Sequence, residues 1–111
     1  MSTITNYKRL GSTAVTANVN ATLYTVPALK ESIVSSLVVC NTSTGTGTFT
    51  VAITSSSSTP TTADYIYKGI SITANNTFIA TTGFTLSAGN KIVVQASLTS
   101  IVFSVFGSEI T

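Results

Sequence analysis

Glu31, Asp64 and Glu109 are the acidic side chains of this 111-residue sequence, which has no histidine and a single cysteine, Cys40. These few groups bound the chemistry the chain can supply. A glycosidase pair needs two carboxyl groups about 5–10 Å apart across a cleft, whereas these acids fall in three unrelated segments. Ser-His-Asp and Cys-His machinery lacks its base. Metal binding through His or Cys lacks its donors. Gly45 and Gly47 stand in a hairpin setting with no following helix, so they open no phosphate loop. Cys40 lies inside an apolar run and reads as a small buried hydrophobe. The expectation is a chain that is not an enzyme and uses no cofactor and no metal.

The remaining candidates are groups that make contacts rather than reactions. Tyr65 and Tyr67 alternate along one stretch and could stack on sugar rings or pack in a subunit interface. Tyr7, Lys8, Arg9 and Leu10 put an aromatic, two cations and an apolar side chain near the N-terminus. Charged residues are only 7% of the chain, against the usual ~25% for soluble domains. Ser and Thr together make 38 of the 111 residues, so hydroxyls must form much of the surface. A hydroxyl costs far less to desolvate than a charge and pairs readily with backbone. Such a composition fits a chain whose outside becomes interface. The net charge of +2 is too small and scattered to form a stripe for phosphates, which argues against nucleic acid. No apolar run approaches the ~18–20 residues of a membrane helix. Met1–Leu10 shows no apolar core of a secretory signal.

The elements that must position these groups are strands. Thr, Val, Ile and Ser dominate, and no sustained 3.6-residue apolar period occurs. Period-two runs predict strands at Val15–Val19, with a short one at Tyr7–Leu10 before it, and at Ala21–Val26, closed by Pro27. Ala28–Ser32 reads as a loop. Ile33–Asn41 is apolar on both alternations, which predicts a central strand covered on both faces. Thr48–Thr54 alternates most cleanly, with Phe49, Val51 and Ile53 on one side. The run Ser55–Thr62 is a polar loop whose Pro60 stops the strand. Further strands are expected at Asp64–Ile72, Thr77–Thr82, Phe84–Leu86, Lys91–Ser97 and Ser100–Phe106, ending at Gly107. About eight short strands separated by turn signals predict an all-β, two-sheet antiparallel sandwich, of jelly-roll, other Greek-key or immunoglobulin-like kind. The absence of a Cys…Trp…Cys pattern favours a jelly roll or other Greek key. Residues 1–13 are read as an N-terminal arm that reaches a neighbouring chain, and 14–111 as the sandwich, so removing 1–12 is expected to leave folding intact.

Several segments taken in order carry a family resemblance. They are Asn18-Val-Asn-Ala-Thr-Leu-Tyr-Thr-Val-Pro-Ala28, Ile33-Val-Ser-Ser-Leu-Val-Val-Cys-Asn41, Phe49-Thr-Val-Ala-Ile53, Asp64-Tyr-Ile-Tyr67, Ile72-Thr-Ala-Asn-Asn-Thr-Phe78, Gly83-Phe-Thr-Leu-Ser-Ala-Gly-Asn-Lys-Ile-Val-Val94 and Val102-Phe-Ser-Val-Phe-Gly-Ser-Glu109. Together they resemble a small β-sandwich domain of virion structural proteins of tailed bacteriophages, including cyanophages. The resemblance covers Asn18 to Glu109 and rests on the order and spacing of strands. It implies a capsid decoration (cement) protein that bridges shell subunits, assembled in the host cytoplasm. The implied partners are copies of itself, as a homotrimer, and the major capsid protein. The alternative it leaves open is a tail, baseplate or fibre module, with glycan contact through Tyr65 and Tyr67.

Overall fold

The computed structural model describes residues 5–111. Within them the strands are β1 (Thr5–Ala14), β2 (Ala21–Thr25), β3 (Glu31–Asn41), β4 (Gly47–Thr54), β5 (Tyr65–Ile72), β6 (Thr77–Leu86), β7 (Lys91–Ala96) and β8 (Ile101–Ile110). A 3-10 turn, Thr62–Asp64, precedes β5. Every pairing is antiparallel, and four of them nest: β4 with β5, β3 with β6, β2 with β7 and β1 with β8. The chain is thus one long ribbon doubled back at the β4–β5 connection and rolled up, so that alternate pairs fall into opposite sheets. Additional pairings of β3 with β8 and β4 with β7 close the two sheets, in the orders β1-β8-β3-β6 and β2-β7-β4-β5. That order is the eight-stranded jelly roll, which settles the choice the sequence left open.

The core lies between the sheets. Phe49 of β4, almost fully buried, meets Phe78, Phe103 and Tyr67 at ring-centroid distances of 5.1, 6.2 and 6.5 Å. The fully buried rings of Phe49 and Phe103 each contribute about 1.5–3 kcal/mol by burial, and each ring pair about 0.5–1.5 kcal/mol more. Phe49, Val51 and Ile53 do face this core, as the alternation predicts. An apolar recess lined by Val34, Leu37, Val51 and Val105, among others, encloses only about 10 Å³. That is at the threshold for one water, so this recess is too small for a ligand.

Several boundaries differ from the sequence reading for physical reasons. Residues 5–13 of the expected arm are β1, an edge strand paired with β8 from Thr5↔Ile110 to Ala14↔Val102. Met1–Ile4 lie outside the described residues. Val15–Val19 is a turn rather than a strand, closed by Val19 N–H donating to the Thr16 carbonyl, with Asn18 in the left-handed region at φ 62°. The two strands expected at Thr77–Thr82 and Phe84–Leu86 are one, β6, whose register against β3 shifts where Val34 and Ser36 pair with Phe84 and Thr81. The final strand runs past Gly107 to Ile110. There a Cβ would lie 2.0 Å from the Ile33 carbonyl oxygen, so this glycine permits a close strand approach and does not end the strand.

Candidate functional site

At one end of the sandwich, Glu109 of β8 points between the sheets and is 4% exposed. Lys8 of β1 sits on the same inner face, and its Nζ lies 2.8 Å from Glu109 Oε1. Lys30, in the β2–β3 connection, approaches the same oxygen at 3.9 Å. From the other sheet, Tyr24 of β2 donates its hydroxyl to Glu109 Oε2 at 2.5 Å and accepts from Ser32 Oγ of β3 at 2.7 Å. The hydrogen bonds from Lys8 and Tyr24 hold the Glu109 carboxyl below the usual carboxylate range, against the opposing effect of burial. Burial, reinforced by the hydrogen bond to Glu109, pushes the Tyr24 phenol up to about 12. The sequence reading ended the last strand at Gly107 and so left Glu109 beyond it. Its period-two continuation past Gly107 (Val105, Gly107, Glu109) was the signal that it belongs to the inner face.

The other acids are placed differently. Glu31 begins β3 on the face opposite Glu109, because the β3–β8 register sets Ser32 and not Glu31 across from it. Asp64 closes the 3-10 turn by accepting from Thr61 N–H at 2.8 Å. Lys68 lies over the Tyr65 ring at 4.6 Å. Asn41, one of three Asn-x-Ser/Thr matches, is buried, and its Nδ2 donates to the Gly45 and Ile72 carbonyls at 2.8 and 3.1 Å.

The six candidate contact residues do not form one site. Tyr7, Lys8, Arg9 and Leu10 lie on β1, at the flank where β1 meets β2. Tyr65 and Tyr67 lie on β5, at the opposite flank, where Tyr67 meets Phe78 of β6 edge-on at 5.4 Å. Within the first group the side chains divide by face. Lys8 turns inward to Glu109, and Leu10, at a register shift between Arg9 and Gly11, packs partly against the core. Tyr7 and Arg9 turn outward, and Tyr7 is 82% exposed. Tyr67 packs into the Phe49 aromatic cluster and Tyr65 under Lys68, so the two rings serve different neighbours.

The sequence reading missed an apolar face that the fold leaves exposed. Ile33–Asn41 was expected to be covered on both faces, but β3 is covered on one. Val34, Leu37 and Val39 are buried in the core, whereas Ile33 is exposed and Val38 and Cys40 are half-buried. Of the seven large hydrophobics exposed among the described residues, four lie on this outer face of the first sheet: Tyr7, Ile33, Ile79 and Phe106. The outer face of the second sheet differs, since Ala52 and Val93 are buried there outside the core cluster, and the 3-10 turn packs against β4. The first sheet carries two separate apolar alternations in β3, and the second of them was the legible signal.

No protein-family model matches this chain, and no curated protein sequence matches it. Among solved structures it is similar to a chain in a structure of infectious bursal disease virus, Gx strain, with a TM-score of 0.51 and 17% identity. The match covers 98% of this chain and 31% of the viral one, so the chain spans about a third of the length of its structural neighbour. At that identity the likeness is one of fold.

Proposed function

We propose that the chain is a non-enzymatic structural protein of a virus particle, and within that class a capsid decoration protein of a tailed bacteriophage. The observation that carries this reading is the uncovered outer face of the first sheet. A jelly roll alone does not choose a function, since capsid and lectin domains and cupins share it. An outer sheet face bearing Tyr7, Ile33, Ile79 and Phe106 is a surface suited to contact with other protein chains. The fold likeness to a viral structure and the strand-by-strand resemblance to phage virion proteins support the same class.

The mechanism is mechanical. A rigid sandwich seated across a junction between shell subunits adds buried area to both, and a specific contact takes roughly 1,200–2,000 Å². Hydroxyl-rich surface is desolvated at low cost while backbone groups supply its partners. The partners proposed are copies of this chain and the major shell protein, assembled in the host cytoplasm.

The test is quantitative mass spectrometry of purified particles of the virus that encodes the chain. A copy number comparable to that of the shell protein is the expected result. A copy number comparable to tail proteins would move the chain to the tail or fibre. Absence from particles would overturn the virion role.

A further inference from the structure

We infer that the outer face of the first sheet docks against the same face of a second copy of this chain, about a twofold axis, with Arg9 of each copy against Glu31 of the other. This face carries two charges of opposite sign, both exposed, and among the described residues neither forms a salt bridge within the chain. Lys8 and Lys30, near the same end, are instead committed to Glu109 inside the sandwich.

The register fixes where the two charges lie. Arg9 on β1 is opposite Phe106 of β8, and Glu31 on β3 is opposite Ile110 of the same strand. Because β8 runs between β1 and β3, the midpoint of the Arg9–Glu31 line falls at Ser108. With strands ~4.8 Å apart and ~3.4 Å per residue, the two charges are roughly 17 Å apart. A twofold axis lying in the contact plane over Ser108, perpendicular to that line, places each Arg9 over the Glu31 of the second copy. The strands of the two copies then cross steeply, nearer the orthogonal than the aligned class of sheet packing.

The side chains around that axis suit it. Tyr7 and Ile33 both pair with Ser108 and so flank the axis on either side. Ser108 itself is small and buried beneath its neighbours. Phe106 falls against Ile33 of the second copy. The centre of the contact is therefore apolar and its ends are oppositely charged, the self-complementary pattern of an isologous interface.

The experiment is sedimentation analysis of the purified full chain, carried to about a millimolar so that a weak pair is still populated. A dimer is expected. A monomer throughout, or the trimer that the family resemblance implies, overturns the proposal. Arg9→Glu and Glu31→Arg should each raise the dimer dissociation constant about tenfold or more, because each sets like charges against one another at both ends. Mixing the two variants should give a heterodimer, since both ends then join opposite charges, and the double variant should regain the parent's affinity. Both positions are exposed, and unchanged thermal unfolding of each variant confirms that the fold is intact. Single variants that dimerise normally, or a mixture that fails to pair, would sink the twofold contact while leaving the virion role standing.

Discussion

Tyr24 and Glu109 meet across the interior, one from each sheet, with the phenol donating to the carboxylate at 2.5 Å. They belong to β2 and β8, which are not neighbours in either sheet. The contact therefore ties the sheets together at the end where Lys8 also reaches in. Glu109 is buried, so removing a donor leaves carboxylate oxygen short of a partner at a cost of about 1–3 kcal/mol. Tyr24→Phe keeps the ring's volume and removes only the hydroxyl. It should lower unfolding stability by that amount in urea titrations, with an unchanged denaturant slope showing that the fold is the same.

The same cluster sets a pH dependence with a definite sign. The folded-state pKa of Glu109 is lowered from 4.5. Its contribution is therefore fully present above about pH 4.5 and is lost as pH falls through the lower folded-state value. Tyr24 is raised from 10.0 to about 12, so its contribution is present below pH 10 and fades as pH rises toward 12. Stability measured against pH should be flat between these limits with respect to this pair. Glu109→Gln should flatten the acid limb, and an acid limb of the parent's steepness in that variant would show that other groups govern it.

The strands themselves were largely legible, because period-two alternation is a local signal and β4 displays it without interruption. Their order was not. Nested pairs such as β1–β8 join residues almost a whole chain apart, and no local pattern marks which strands meet. Glycine misled the reading at Gly107, where a turn signal and a close strand approach look alike in one dimension. The double apolar alternation of Ile33–Asn41 was visible. It was read as burial on both sides, whereas the outer alternation, Ile33, Val38 and Cys40, faces out of the sandwich. Ending that strand at Gly107 also cut off its continuation, which carries Glu109 inward.

Gly107 and Gly83 offer a controlled comparison. A Cβ on Gly107 would lie 2.0 Å from the Ile33 carbonyl oxygen, a backbone atom of the paired strand β3, while nothing lies within 4 Å of one on Gly83. Gly107→Ala must therefore push two central strands apart, and should cost at least the ~1–3 kcal/mol of overpacking. Gly83→Ala should stay within about 0.5 kcal/mol of the parent. Thermal unfolding of both variants checks this, and equal effects would show that the close approach is not what fixes Gly107.

The inner face of the first strand serves the fold, its outer face is the one to which contacts with other chains are proposed, and point variants separate the two. Deleting residues 1–12 removes most of β1, uncovers the β8 edge and takes Lys8 from the buried Glu109, so it should destabilise the sandwich instead of leaving it intact. Lys8→Ala isolates the inner face. With Lys30 still 3.9 Å from the carboxylate, its cost should fall at the lower end of about 1–3 kcal/mol for a buried acceptor left short of a donor. Tyr7→Ser isolates the outer face, where the ring is 82% exposed. It should leave unfolding stability within about 0.5 kcal/mol of the parent while weakening contacts made by that face with other chains. Parallel chemical unfolding and sedimentation of the two variants reads both effects. If Tyr7→Ser instead lowers stability as much as Lys8→Ala does, the division of β1 into a structural inner face and a contact-making outer face is wrong.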